Sequence, residues 1–195
     1  MKYKYVAIEH EYGSSGNEIG RQLARQYHIP CYSQEILEQA GQRTGATAEQ
    51  IFLMEENITD SLFYTWYVKN EQKHPSDIEL HQDMQKAIET LASRGPAVFI
   101  GHSALKTLKG MGPTLSAFIY ADQESRMQHA IMRDGQSPSH VLSILGQCDR
   151  CRSNYFYFNM HSDWTSLSNY DVALNSEKNG IQGCVAALAA LLTDS

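Results

Sequence analysis

Positive charge is what this chain can least spare. Its 16 Lys and Arg stand against 22 Asp and Glu, for a net charge of −6. That balance argues against a nucleic-acid partner or an anionic membrane held by bulk electrostatics. Long apolar runs are missing as well. No stretch approaches the ~18 residues of a membrane span, and the start MKYKYVAIEH lacks the apolar core of a signal peptide. Both features point to a cytoplasmic protein. Cysteine is scarce: Cys31, Cys148, Cys151 and Cys184 are too few and too scattered for a disulfide scaffold. Cys148 and Cys151 have C-x-x-C spacing, but without a second pair and in helical surroundings they read as two reduced thiols. Repeats and low-complexity linkers are absent too, so the 195 residues read as a single domain able to bury its own core.

What is there is most concentrated in residues 3–19, YKYVAIEHEYGSSGNEI. An apolar run at 5–8 reads as a buried strand. It breaks at Gly13-Ser14-Ser15-Gly16 and resumes with helical spacing at Ile19, Leu23 and Tyr27. Strand, Gly/Ser turn and helix together aim backbone N–H groups and a helix N-terminus at one spot, a geometry that favours phosphate. Against the phosphate-loop pattern G-x-x-x-x-G-K-[ST], only the second glycine survives. Glu11 stands at the first glycine, Asn17 at the lysine and Glu18 at the Mg²⁺-binding hydroxyl. The shape of a phosphate cradle is present and its charge is missing.

Further apolar runs at 29–32, 97–100, 116–120 and 170–174 read as strands, and helical patterns separate them. Short β runs alternating with helices imply a parallel α/β sheet. Helices are expected at 17–27, 34–41, 47–56, 58–68, 77–93 and 181–192, with a polar break at 70–75. Residues 125–161 are helical and polar, with Arg126, Arg133, Arg150 and Arg152 at intervals and a helix start marked by Ser137-Pro138.

Six collinear blocks carry a likeness: HEYGSSGNEI, IPCYSQEIL, GPAVFIGHSA, FIYADQESRM, CDRCRSNYF and NYDVALNSEKNGI. Together they make the chain resemble the cytidylate-kinase-like proteins, a bacterial branch of the P-loop nucleoside-monophosphate kinases. That branch begins Arg-Glu-Tyr-Gly-Ser-Gly-Gly-Arg-Glu-Ile. The resemblance implies a three-layer P-loop kinase fold, a five-stranded parallel sheet flanked by helices with its first strand central. A helical acceptor insertion at 33–70 and a helical lid at 125–161 go with it. It also implies ATP and Mg²⁺ as cofactors, and a nucleotide or small phosphorylated substrate. The departures are His10, Asn17 and His102, each where the family carries a basic residue, and Ser33 where it carries an acid.

Phosphoryl transfer needs positioning and cations around the migrating group. By resemblance Arg133 and Arg152 sit in the lid and clamp phosphates, with Asp149 beside them in the catalytic set. The alternative is a solvated helix whose arginines pair with Asp134 or Glu124. Gly13, Ser14, Ser15 and Gly16 offer N–H groups to phosphate, or form only a tight turn. Asn17 can donate to phosphate, but the role that suits it better is the helix N-cap. Glu18 complements the helix dipole or ligates Mg²⁺; no protein cage for a metal is expected. Tyr32, Ser33 and His102 are the acceptor-side candidates, His102 doing equally well as a structural histidine. Phe63, Tyr64 and Trp66 are core aromatics or a base-stacking set. Asp171 is expected to anchor the fifth strand. The run Tyr155-Phe156-Tyr157-Phe158 is too apolar for solvent and should pack on the domain or on a second copy in a homodimer.

Overall fold

Six consecutive buried residues, Tyr5–His10, form β1 at the centre of the molecule in the computed structural model, which describes residues 2–44 and 77–193. A strand buried on both faces is what a parallel sheet covered by helices requires. The strands are β1, β2 (Cys31–Tyr32), β3 (Ala97–Ile100), β4 (Thr114–Tyr120) and β5 (Val172–Asn175). All pairings are parallel, in the order β2-β3-β1-β4-β5. The helices among the described residues are α1 (Gly16–Tyr27), α2 (Gln34–Thr44), α3 (Asp77–Ala92), α4 (Ala104–Lys109), α5 (Gln123–Asp134), α6 (Val141–Met160) and α7 (Ser176–Leu192).

The period-2 alternation of β1 divides the core into two layers. Tyr5 and Ala7 face Ile36, Met84, Ile88, Phe99 and Leu105, beneath α2, α3 and α4. Val6 and Ile8 face Ile19, Leu23, Val185 and Leu188, beneath α1 and α7. A smaller apolar group joins α5 to α6 through Ala130, Val141 and Leu145, with Tyr12 packed against it. No helix among the described residues is long and apolar enough to cross a membrane.

Several boundaries differ from the sequence reading, each for a local reason. β1 runs two residues further because Glu9 and His10, although polar, are buried. β2 loses Ile29, whose N–H closes the end of α1 on the Ala24 carbonyl, and Pro30 has no N–H to give. β5 begins after Asp171, whose carboxylate accepts from the Ser116 N–H (2.8 Å) and hydroxyl (2.7 Å), the strand anchor expected of it. The last helix starts at Ser176, capped by the Asn175 side chain on the N–H groups of Glu177 and Lys178, and breaks at Gly180. The six-residue α4, hidden behind Gly101-His102-Ser103, had no sequence signal of its own. The expected helices at 47–56 and 58–68, and Phe63, Tyr64 and Trp66, lie outside the described residues. Tyr155 and Phe156 are buried, while Tyr157 and Phe158, on the opposite face of the same turn, are exposed.

Candidate functional site

The loop between β1 and α1 lies at the carboxyl edge of the sheet, where open α/β sheets hold their ligands. Two left-handed residues, Gly13 (φ 82°) and Ser15 (φ 63°), turn the chain into α1. The Ser14 N–H is used inside the turn, on the Glu11 carbonyl at 3.2 Å. Its hydroxyl donates to the carbonyls of Glu11 (2.8 Å) and Ile119 (3.1 Å), and its own carbonyl accepts from the Ser176 hydroxyl at 2.7 Å. The N–H groups of Ser15, Gly16 and Asn17 meet no protein acceptor among the described residues. They open the helix at the end that carries its positive partial charge.

Asn17 does not cap α1, as its residue type had suggested. The helix begins one residue earlier at Gly16, and Ser15, held left-handed by the turn, occupies the cap without a side-chain bond. Asn17 therefore lies inside the first turn, with its Oδ1 buried and without a partner among the described residues. Glu18 follows it, its Oε1 accepting from Gln22 Nε2 at 2.8 Å.

The outer side of the loop is gripped by α5 and α6. A Cβ on Gly13 would stand 2.5 Å from the Arg126 carbonyl, so the backbones touch there and only glycine fits. The Arg126 guanidinium bridges Glu11 (3.0 Å) and Asp149 (2.5 Å), itself only 8% exposed. The other Asp149 oxygen accepts from the Tyr12 N–H at 2.8 Å. Glu11 also accepts from the Ala121 N–H at 3.1 Å, which keeps its carboxylate out of the cradle. One turn along α5, His129 Nδ1 lies 2.9 Å from the Gly13 carbonyl and 3.5 Å from Ser15 Oγ. A carbonyl only accepts, so Nδ1 carries the hydrogen.

Arg152 reaches the loop from α6. It donates to the His10 carbonyl at 2.7 Å, with its guanidinium over the Tyr12 ring at 5.8 Å. His10 Nδ1 in turn donates to the Glu11 carbonyl at 2.9 Å. Burial, and then the Arg152 charge, bring the His10 pKa down from 6.5 to about 3, so this imidazole stays neutral. Its ring fills the space beside Gly16, where a Cβ would stand 2.4 Å from His10 Cβ. Arg133 points to solvent and makes two bonds to Asp134, at 2.8 and 3.0 Å, although its charge is felt at His10.

On the acceptor side the candidates are spread out. Tyr32 is buried against Phe99, with ring centroids 5.2 Å apart. Ser33 opens α2 with its N–H on Glu35, at 3.1 Å. Gly101, His102 and Ser103 take three consecutive left-handed conformations at the end of β3. Beneath them the buried Glu9 carboxylate accepts from the Ser103 N–H at 3.1 Å and from the Trp164 indole at 3.4 Å, while the Ser103 hydroxyl meets no partner among the described residues.

The loop, Arg152 and Asp149 thus come together, and Arg133 stands at their rim. Asp149, placed by resemblance among the catalytic groups, has both oxygens engaged in holding the loop. Tyr12, His129, Ser176 and Glu9 are residues that sequence reasoning missed. Arg126 was in view as one of the arginines spaced along 125–161, a cation on a helix expected near the loop. The others act across more than 100 positions of chain.

Comparison with solved structures gives the same architecture. An uncharacterized protein from Eubacterium ventriosum ATCC 27560 superposes with a TM-score of 0.73 at 20% identity, over 97% of this chain and 98% of that one. A shikimate kinase from Bacteroides thetaiotaomicron gives 0.58 at 11% identity, over 97% and 98%. A gluconokinase from Sinorhizobium meliloti 1021 gives 0.57 at 17% identity, over 97% and 94%. At these identities the likeness establishes the P-loop kinase fold alone. No curated protein matches. The model of the cytidylate kinase-like family matches residues 5–178, the whole sheet and everything that grips the loop, and the chain belongs to that family.

Proposed function

We propose that this protein is an ATP-dependent phosphotransferase whose acceptor is a nucleoside monophosphate, cytidylate in the first instance. The observation that carries the reading is the open row of N–H groups from Ser15 to Asn17 at the head of α1. Backbone donors and a helix N-terminus suit donor phosphates without help from a charged side chain. Mg²⁺ fits the same place, because it accepts one or two carboxylates and otherwise keeps water and substrate oxygens. Glu18 is the carboxylate that would hold it, having one oxygen beyond the Gln22 bond. When bound, the ion neutralises charge between the donor phosphates. Gly13 to Asn17 orient the donor, Arg152 supplies the standing positive charge, and Arg133 joins it by exchanging Asp134 for phosphate. Tyr32, Ser33 and His102, with the 33–70 insertion, bound the acceptor space, and the reaction takes place in the cytoplasm.

A second reading, a nucleotide- or anion-binding protein that transfers nothing, is favoured by one specific observation. Residues 10 and 17 provide no cation, Arg126 is consumed by two carboxylates and Arg133 is paired. Calorimetric titration with ATP·Mg, followed by assay of ADP release with CMP, UMP, AMP and GMP in turn, separates the two. Saturable ATP·Mg binding with ADP release on one acceptor is the expected result. Binding without release would leave the second reading, and absence of binding would remove both.

A further inference from the structure

We infer that Glu9 is a positioning residue for the acceptor, holding the turn 101–103 so that His102 meets the acceptor's own phosphate. The inference rests on the proposed reading of this edge of the sheet as the acceptor side. β1 and β3 are neighbours in parallel register, with Ile8 opposite Ile100, so the turn after β3 stands beside the start of the phosphate loop. β1 ties that turn down twice. The Ile8 carbonyl accepts from the Gly101 N–H at 2.8 Å, and the Glu9 carboxylate accepts from the Ser103 N–H at 3.1 Å. His102 is the residue between the two ties.

The backbone they hold needs holding. Gly101, His102 and Ser103 are all left-handed, at φ 72°, 58° and 49°, a conformation that disfavours residues with a Cβ. Strain of this kind persists only where the surroundings impose it, and it gathers at ligand contacts. Here the imposing side chain is only 5% exposed. Its two oxygens are used separately, Oε1 for the Ser103 N–H and Oε2 for the Trp164 indole N–H at 3.4 Å. Trp164 is itself fixed, edge-on to Phe118 with ring centroids 5.2 Å apart, and its carbonyl accepts from the Tyr170 hydroxyl at 2.7 Å. A carboxylate beneath an anion site is electrostatically unfavourable, so its use lies in accepting both bonds at once. Space remains at the turn, because a Cβ on Gly101 would meet nothing within 4 Å among the described residues. His102 is partly exposed, and its charge is felt at His10, whose ring packs against Gly16 of the loop.

The test is a double-mutant cycle on the full chain, read by calorimetry. Its ligand is whichever of CMP, UMP, AMP and GMP the parent binds most tightly, with ATP·Mg titrated alongside. Glu9→Gln keeps the size of the side chain but turns an amide N–H toward one of the two donors. Losing one hydrogen bond to a charged group costs roughly tenfold in affinity, the fall expected for the monophosphate in Glu9→Gln and in His102→Ala. ATP·Mg affinity should change by less than about twofold in each, and adding Glu9→Gln to His102→Ala should cost less than about twofold more. An equal loss with and without His102 would reduce Glu9 to a support of the fold and overturn the inference. So would a monophosphate affinity that Glu9→Gln leaves unchanged, and in both cases the acceptor reading stands. A parent that binds ATP·Mg and none of the four monophosphates would remove the acceptor reading and the inference with it. Should Glu9→Gln not fold, Trp164→Phe takes its place in the cycle with the same outcomes, since it removes the indole N–H and keeps an aromatic ring.

Discussion

His10 is a basic residue that the fold keeps uncharged, and this has a measurable consequence for stability. Its folded pKa of about 3 lies below the ordinary 6.5. Between those values the unfolded chain binds a proton that the folded chain refuses. Stability is therefore fully present above pH 6.5 and falls as the pH drops toward 3, by up to about 1.4 kcal/mol per pH unit. Urea denaturation from pH 7 to pH 4 should show this slope, and His10→Gln should flatten it relative to the parent. A parent slope that His10→Gln leaves intact would assign the loss to the carboxylates instead. At position 17 the deficit is of the opposite kind, a missing cation rather than a silenced one. Asn17→Arg, most clearly with His102→Arg, should raise ATP-dependent transfer roughly ten- to a hundred-fold, since a charge-assisted contact is worth about 1.5–3 kcal/mol. Arg133→Ala in that background should remove most of the gain. Parent turnover already unaffected by either arginine would show that Arg152 suffices.

At the scale of the element, α5 is less a lid than a wall. Its backbone touches Gly13, its Arg126 bridges Glu11 and Asp149, and its His129 holds the Gly13 carbonyl. Arg126→Ala leaves two carboxylates facing one another with no cation between them. The cost should be about 3 kcal/mol, at the lower end for a broken buried pair because the two acids keep some solvent contact. Adding Glu11→Gln and Asp149→Asn should recover much of it in chemical denaturation, which a purely steric role for Arg126 would not allow. The sequence showed that 125–161 is helical and bears arginines. It could not show which arginine turns inward, because Arg126 and Arg133 lie two turns apart on one face and share every local feature. The selection is made by Glu11 and Asp149, which only the assembled sheet brings to one side.

For the whole molecule, occupancy of the loop should register as global stability. At ATP·Mg concentrations about 100 times its Kd, binding adds about 2.7 kcal/mol, or roughly 5–10 °C in Tm for a chain of this size. A thermal shift with ATP·Mg and none with the unphosphorylated nucleoside would support donor binding through phosphate. Equal shifts with both would place recognition in the base instead. The parallel sheet was legible because its runs are apolar on both faces and alternate with amphipathic helices. What escaped was decided by single long-range bonds: β5 is set by Asp171 on Ser116, and the extra length of β1 by buried Glu9 and His10. The cradle was legible as glycine and serine spacing, and the neutrality of His10 was not, because burial is a property of the fold and not of the residue.

The bond from the Ser176 hydroxyl to the Ser14 carbonyl spans 162 positions, and that from the Tyr12 N–H to Asp149 spans 137. A loop at residues 11–17 is therefore finished by residues made well over a hundred positions later. During synthesis the glycine turn emerges before the wall of α5 (Gln123–Asp134), and both emerge before the brace supplied by Ser176 of α7. The turn therefore has its full set of braces only once Ser176 has been made, so whatever reads its finished shape acts after that point in synthesis.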